Sequence, residues 1–274
     1  MKSFIGMLAA GFGLVMLAGC GVSKSDDDLI REVVLNSEYF GTRTIEGSAS
    51  KAGALPEYLT WWRQPTSNPD PYLEIDRVDD SAFVVFSGKS AGIFHVVDFD
   101  PDSSFTKDYV DSATIKGVVM KVDEGQWQLT DVSGVHAISC ENPPGFSIDS
   151  VRISMGGVDT VFTDPTELFD IADVMSVSKS SMDTVKCWVY TGSKQLDGAL
   201  HLFGRRDPGE TEHHRIDFSP SADTSYYYAE KAGQALAYTG LHFIGIDLFP
   251  LSTLTEKNSP YQCRIWMIPF EVTD

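Results

Sequence analysis

The sequence predicts a mostly β chain in which a small α+β unit precedes an all-β sandwich. Three observations carry this. Near the start, Asp27-Asp28-Leu29-Ile30-Arg31-Glu32-Val33-Val34-Leu35 sets acids ahead of apolar residues at 29, 30, 33 and 34, the spacing of one helix face. From Tyr72 onward, apolar and polar residues alternate around short Asp/Gly turns, which is hairpin patterning. At Cys140-Glu141-Asn142-Pro143-Pro144-Gly145 the pattern breaks, and paired prolines with a glycine mark a boundary.

The elements follow in order. After the helix, a stretch from Ala54 through Trp61-Trp62-Arg63 has no assigned type. Strands are expected at 72–78, at 81–86 after the Asp79-Asp80 turn, and at 92–99. A longer strand at 112–122 turns at Asp123-Glu124-Gly125 and returns through 126–133. Past the boundary, 146–153 alternates, and Thr163-Asp164-Pro165-Thr166-Glu167-Leu168-Phe169 suggests a capped turn or short helix. Short strands recur at 184–190, 199–203, 213–218, 225–229, 240–248 and 261–272, the rhythm of a β-sandwich.

A helix followed by a curved antiparallel sheet resembles the NTF2-like cone fold over roughly 27–134. The residues that carry the resemblance are Asp79-Asp80-Ser81-Ala82-Phe83-Val84, the strand 112–122, and Gly125-Gln126-Trp127-Gln128-Leu129. The strand order over about 146–274 resembles an immunoglobulin-like domain, without the Cys…Trp…Cys spacing of antibody domains. The expected units are therefore an NTF2-like domain at 29–138 and an Ig-like sandwich at 146–274.

The chain opens Met1-Lys2 and continues in an apolar run from Phe4 to Ala18, interrupted by Gly11 and Gly13. A membrane-spanning helix needs roughly 20 apolar residues, so the run fits an export signal better. It ends in Leu17-Ala18-Gly19-Cys20, which resembles the bacterial lipobox. The resemblance implies cleavage after residue 19, a diacylglycerol on the Cys20 thiol and a further acyl chain, commonly palmitate, on the new amino group. Two or three such chains hold a protein at a membrane where one does not. A plain N-terminal anchor with a chance cysteine is the alternative. Gly21, standing where Asp would favour inner-membrane retention, points to the outer membrane of a two-membrane cell. Residues 20–28 are then the lipidated cysteine and a polar tether.

Formal net charge is −18. So acidic a surface repels nucleic acid, which excludes that partner class, and most of its acids form a solvated surface. Cys140, Cys187 and Cys263 would all lie in a compartment where disulfides persist. Cys187–Cys263 is the favoured pair, since both lie in strand-like runs of one half; three buried, unpaired thiols are the alternative.

Candidate chemistry is sparse. Asp98-Phe99-Asp100-Pro101-Asp102 alternates acids as a calcium loop does, but Ser103 and Tyr109 stand where such a loop needs Gly and Glu. The alternative is a solvated acidic turn. His213-His214 are adjacent on a strand, so they point to opposite faces and do not converge on one ion. Gly88-Lys89-Ser90 echoes a phosphate loop, yet Phe83 replaces the upstream glycine and no helix follows. Tyr226-Tyr227-Tyr228 places Tyr226 and Tyr228 on one strand face, where rings can stack on a sugar or a partner protein; edge packing is the alternative.

The expectation is a lipid-anchored envelope protein with a non-catalytic binding or structural role and no cofactor, whose partner is an envelope protein or a glycan. A small-ligand carrier or enzyme using the mouth of the first domain is one alternative, resting on fold analogy. A carbohydrate-binding surface lipoprotein is the other.

Overall fold

Helix α1 (Asp26–Asn36) forms where acids precede an apolar stripe. Ser25 caps it: its hydroxyl accepts from the Asp28 N–H at 3.2 Å, and the Asp28 carboxylate accepts from the Ser25 N–H at 3.2 Å. Those hydrogen bonds hold the Asp28 carboxyl below its ordinary pKa. Ile30 and Val34, four residues apart, are the fully buried positions. In the computed structural model, the described residues are 24–40, 50–51, 59–67, 71–98, 101–181, 184–205, 211–221, 226–232 and 238–274. The signal region, Cys20, Gly21 and Asp100 lie outside them.

The first half contributes β1 (Ser50–Lys51), β2 (Thr60–Ser67), β3 (Tyr72–Val78), β4 (Ser81–Val97), β5 (Phe105–Asp123), β6 (Gln126–Val132) and β7 (Val135–Ser139). The second adds β8 (Ser150–Met155), β9 (Val158–Phe162), β10 (Phe169–Asp170), β11 (Ser176–Ser178), β12 (Thr184–Tyr190), β13 (Leu196–Arg205) and β14 (Thr211–Asp217). It closes with β15 (Ser219–Pro220), β16 (Tyr226–Ala232), β17 (Gly240–Pro250), the short helix α2 (Leu251–Thr255) and β18 (Arg264–Thr273). The mostly β content and the curled antiparallel sheet expected from the sequence are present.

The two runs expected at 81–86 and 92–99 are one strand, β4. Gly88-Lys89-Ser90 stays in register with Ala113, Ser112 and Asp111 of β5, so the glycine does not end the strand. This long β4–β5 hairpin serves two layers. Near its β3 end, Ala82, Val84, Phe86, Ile115 and Val119 pack beneath α1 with Trp127. Near its other end, Phe94, Val96 and Tyr109 face a second cluster. The two-residue turn before β4 puts Asp79 at φ 53°, a conformation that Asp tolerates and most residues resist.

A 13-stranded sheet runs in the order β1-β2-β4-β5-β7-β18-β17-β13-β14, with β3, β6, β10 and β11 attached to its sides. Its pairs are antiparallel except β11–β18. Hydrogen bonding therefore passes from the first half to the second where β7 pairs with β18. A five-stranded sheet, β15-β16-β12-β8-β9, packs on one face of β13, β17 and β18 to make a sandwich core around Ile153, Cys187, Leu200, Ile246 and Phe270. The other face of the same three strands looks into the curl. A strand covered on both sides should be apolar on both sides, and Gly240–Pro250 shows this: residues 242–249 are all buried.

Candidate functional site

The curl brings the path from β2 to β14 round until its two ends meet. Arg215 on β14 makes the contact: its Nη1 donates to the Trp61 carbonyl at 2.9 Å, and its guanidinium carbon lies 3.4 Å from the Trp61 ring centroid. Aromatic rings fill the enclosed space, with Phe249 4.6 Å from Trp61 and 5.3 Å from Phe94, and Tyr261 5.1 Å from Phe94.

Among these rings sits a buried polar cluster. Arg63 on β2 donates through Nη1 to Asp247 Oδ2 at 2.5 Å and through Nη2 to Asp247 Oδ1 at 3.1 Å. This is the two-pronged geometry in which Arg suits a carboxylate. Arg63 Nε donates to the Tyr261 hydroxyl at 2.7 Å and lies 3.2 Å from Asp111 Oδ2. Tyr261 in turn donates to Asp111 at 2.9 Å, and the Cys263 thiol donates to the other Asp111 oxygen at 3.2 Å. Burial alone would lower the Arg63 pKa, but the negative partners around it, Asp247 first, hold it well above the ordinary value. Burial pushes the Asp111 carboxyl up despite Arg63, and pushes the Tyr261 and Cys263 groups well up. The network is thus the Arg63–Asp247 pair with Asp111 held beside it by Arg63, the Tyr261 hydroxyl and the Cys263 thiol.

A second string of polar groups lines β13 and β14. His201 is fully buried; its Nδ1 lies 2.9 Å from His213 Nε2, and its Nε2 lies 3.9 Å from Asp247 Oδ2. Burial, followed by Arg215, keeps both imidazoles neutral: His201 falls well below the ordinary value and His213 falls to about 4. Burial also lowers Arg215 to about 10, offset by Asp217, whose carboxylate lies 3.5 Å from Arg215 Nε.

The second candidate is the outward face of the five-stranded sheet. Register sets Trp188 opposite Tyr228 and Tyr190 opposite Tyr226. The ring centroids are 5.3 Å and 5.6 Å apart, tilted by 42° and 52°. Arg152 of β8 lies across from Trp188, its guanidinium carbon 5.0 Å from that ring, and forms two hydrogen bonds to Asp159 at 2.8 and 2.5 Å. Tyr228 donates to Glu230, and burial followed by that hydrogen bond raises its phenol to about 12. The four rings are half-buried, leaving a band of aromatic edge and face bordered by Arg152, Asp159, Lys186 and Glu230. Tyr227 points the other way into the sandwich core, where its oxygen accepts from the Leu196 N–H at 3.1 Å.

The structure puts the residues expected from sequence in different places. Tyr226 and Tyr228 share one outward face, joined by Trp188, Tyr190 and Arg152, which the sequence did not single out. Cys187 and Cys263 are free thiols, not the expected disulfide: Cys187 lies in the sandwich core and Cys263 in the curl, on opposite sides of β17–β18. Cys140 is also free and half-buried. In the acidic loop, the Asp98 N–H donates to Ser104 and Asp102 is exposed; no group of three or more His, Cys, Asp or Glu suited to a metal occurs among the described residues. His213 turns inward to His201, as strand alternation requires of one member of the His213-His214 pair. Gly88-Lys89-Ser90-Ala91-Gly92 also has the G-x-S-x-G spacing of a nucleophile elbow, which sequence reasoning missed. The five residues lie inside β4 with no strand-to-helix turn, and the Ser90 hydroxyl is 3.2 Å from that of Tyr109.

Comparison with protein-family models, with curated proteins and with solved structures gives no match.

Proposed function

We propose that this chain is a lipid-anchored protein of the bacterial envelope with a non-catalytic binding role, and that the outward face of the five-stranded sheet is where it binds. The observation that carries the proposal is the band formed by Trp188, Tyr190, Tyr226, Tyr228 and Arg152. Tyr, Trp and Arg are the residue types that dominate binding energy at protein interfaces, because they offer large area at small entropic cost. Tilted rings bordered by charges of both signs fit the mixed apolar and polar surface of a partner protein better than the flat repeat of a glycan. In the interior of the curled sheet, rings surround an Arg63 cluster whose groups bind one another, while His201 Nε2 and Arg215 Nη2 are buried without a hydrogen-bond partner among the described residues; the outward band is the more accessible of the two surfaces. In this proposal α1 with the curled sheet is an NTF2-like cone, and the two packed β layers form an Ig-like sandwich. Cys20 carries the lipid, and Gly21 directs the protein to the outer membrane.

The anchor is tested by metabolic labelling with palmitate: Cys20→Ser should lose the label and leave the signal uncleaved. The face is tested by placing a photo-crosslinking side chain at Tyr226 and, separately, at Val161, which pairs with Arg152 at the other end of the band, in otherwise native cells. Defined protein adducts at these positions that disappear with W188A/Y228A support the proposal. Adducts unaffected by that variant, or binding only to a glycan array, would overturn the protein-partner assignment.

A further inference from the structure

Four of the eight exposed large apolar side chains among the described residues, Val78, Phe83, Met120 and Val122, gather at one end of the long hairpin. Val78, Phe83 and Met120 lie on the face of β3–β4–β5 that points away from α1, and Val122 is exposed two residues beyond Met120. Ala82 and Val84 point to the helix, so Phe83 points outward; Ser81 pairs with both Val78 and Met120, which sets these two in one row across the strands. Their exposures are 63% for Val78, 38% for Phe83, 38% for Met120 and 56% for Val122. On a solvated surface this clustering has no use, and contiguous exposed apolar area marks an interaction site.

The start of α1 says what covers it. Asp26 is tied to the same end of the hairpin from the opposite side: its carboxylate lies 2.6 Å from Arg77 Nη1 and 3.9 Å from Lys121 Nζ, and it accepts from Trp127 Nε1 at 3.3 Å. Four residues separate Cys20 from Ser25, so even a fully extended chain spans at most about 18 Å over its five steps, at roughly 3.3–3.6 Å per residue. A sheet layer is only about 10 Å thick. A lipid on Cys20 therefore holds this end of the hairpin within reach of the bilayer surface.

We infer that the Val78–Phe83–Met120–Val122 patch rests in the interfacial layer of the membrane that holds the lipid anchor, so that the protein is fixed in orientation as well as tethered. The inference rests on the lipoprotein proposal. The surrounding acids narrow the lipid: Asp76, Asp79, Asp80, Asp123 and Glu124 are exposed around the patch. They repel anionic headgroups and leave a zwitterionic surface as the one that fits.

The experiment uses lipidated protein, purified from membranes and reconstituted into phosphatidylethanolamine/phosphatidylcholine vesicles whose phosphatidylcholine carries brominated acyl chains. Flotation first establishes that the protein rides with the vesicles. Tryptophan reporters are then compared at Met120 and Val122 (M120W, V122W) and at Val161 (V161W), which is 56% exposed on the five-stranded sheet. Fluorescence of the parent protein is subtracted. At least twofold quenching at 120 and 122, with little at 161, is the expected result. Replacing half the phosphatidylcholine by phosphatidylglycerol should reduce it. Quenching at 120 and 122 no greater than at 161 in floated vesicles overturns the seating and leaves the anchor standing. Failure to float, with no lipid on Cys20, removes the anchor and the seating together. If either reporter disturbs the fold by circular dichroism, V78W at the neighbouring exposed position replaces it.

Discussion

Replacing Arg63 by Met isolates what the buried cluster contributes. Asp247 has no solvent exposure and takes both of its charged hydrogen bonds from Arg63, so its charge has nowhere to go when the guanidinium is removed. Breaking a buried pair in this way costs about 3–5 kcal/mol. For a chain of this size each kcal/mol moves the midpoint by about 2–4 °C, so Tm should fall by roughly 6–20 °C. The companion variant R63M/D247L replaces both charges by apolar groups of similar size, and it should recover at least half the loss, because the desolvation penalty goes with the pair. Asp111 keeps its hydrogen bonds from Tyr261 and Cys263 in both variants, so the comparison between them isolates Asp247. Urea unfolding followed by far-ultraviolet circular dichroism measures both. A loss under about 1 kcal/mol for R63M, or a double variant no more stable than the single, would refute the argument that Arg63 neutralises a dry carboxylate.

Three further outcomes follow from the same geometry. His201 and His213 have folded-state pKa values below the unfolded value, His213 at about 4, so the unfolded chain takes up protons that the fold refuses as pH falls from about 6.5. Stability should be full above that pH and decline toward pH 4, by up to about 1.4 kcal/mol per pH unit for each histidine, with the raised Asp111 and Asp217 opposing it. H201F/H213F should flatten the decline in urea titrations at successive pH values, and a flat parent profile counts against the assignment. Burial raises the Cys187 and Cys263 thiols, so iodoacetamide at pH 8 should leave both unlabelled in native protein and label them in urea, as read by peptide mass spectrometry. Gly198→Ala would put a methyl 2.0 Å from the Asp247 carbonyl oxygen, whereas Gly88→Ala meets nothing within 4 Å. The first should cost about 1–3 kcal/mol or more and the second under about 0.5 in the same urea assay.

Much of the strand pattern was legible because alternation is a local signal. The expected 72–78 and 184–190 coincide with Tyr72–Val78 and Thr184–Tyr190. Trp61-Trp62-Arg63, left without a type, is strand, and Trp61 is committed to it by rings from β4 and β17 that sequence distance hides. Phe146 and Ile148 are buried as alternation suggests, yet the ladder begins only at Ser150. The buried cluster was missed because Arg63, Asp111 and Asp247 look like solvent-face residues of ordinary strands. One signal was available: Asp247 stands inside Phe243-Ile244-Gly245-Ile246-Asp247-Leu248-Phe249, a run apolar at both parities, so neither face is wet and an acid there needs a cation. Its partner lies 184 residues away, and only the closing of the curl names it. The aromatic band was half legible. Tyr226 and Tyr228 follow from alternation, while Trp188 and Tyr190 join them through strand pairing.

The position of β18 also affects when the molecule can come into being. Among the described residues this strand is made after every other, yet it lies between β7 and β17 and covers both the sandwich and the curl. Until residues 264–273 arrive, β7 lacks one neighbour, β17 has an open edge, and Cys263 and Tyr261 cannot reach Asp111. Such late, long-range closure makes folding slow to start. The molecule therefore gains its fixed shape only after residues 264–273 have been made and have taken their place between β7 and β17.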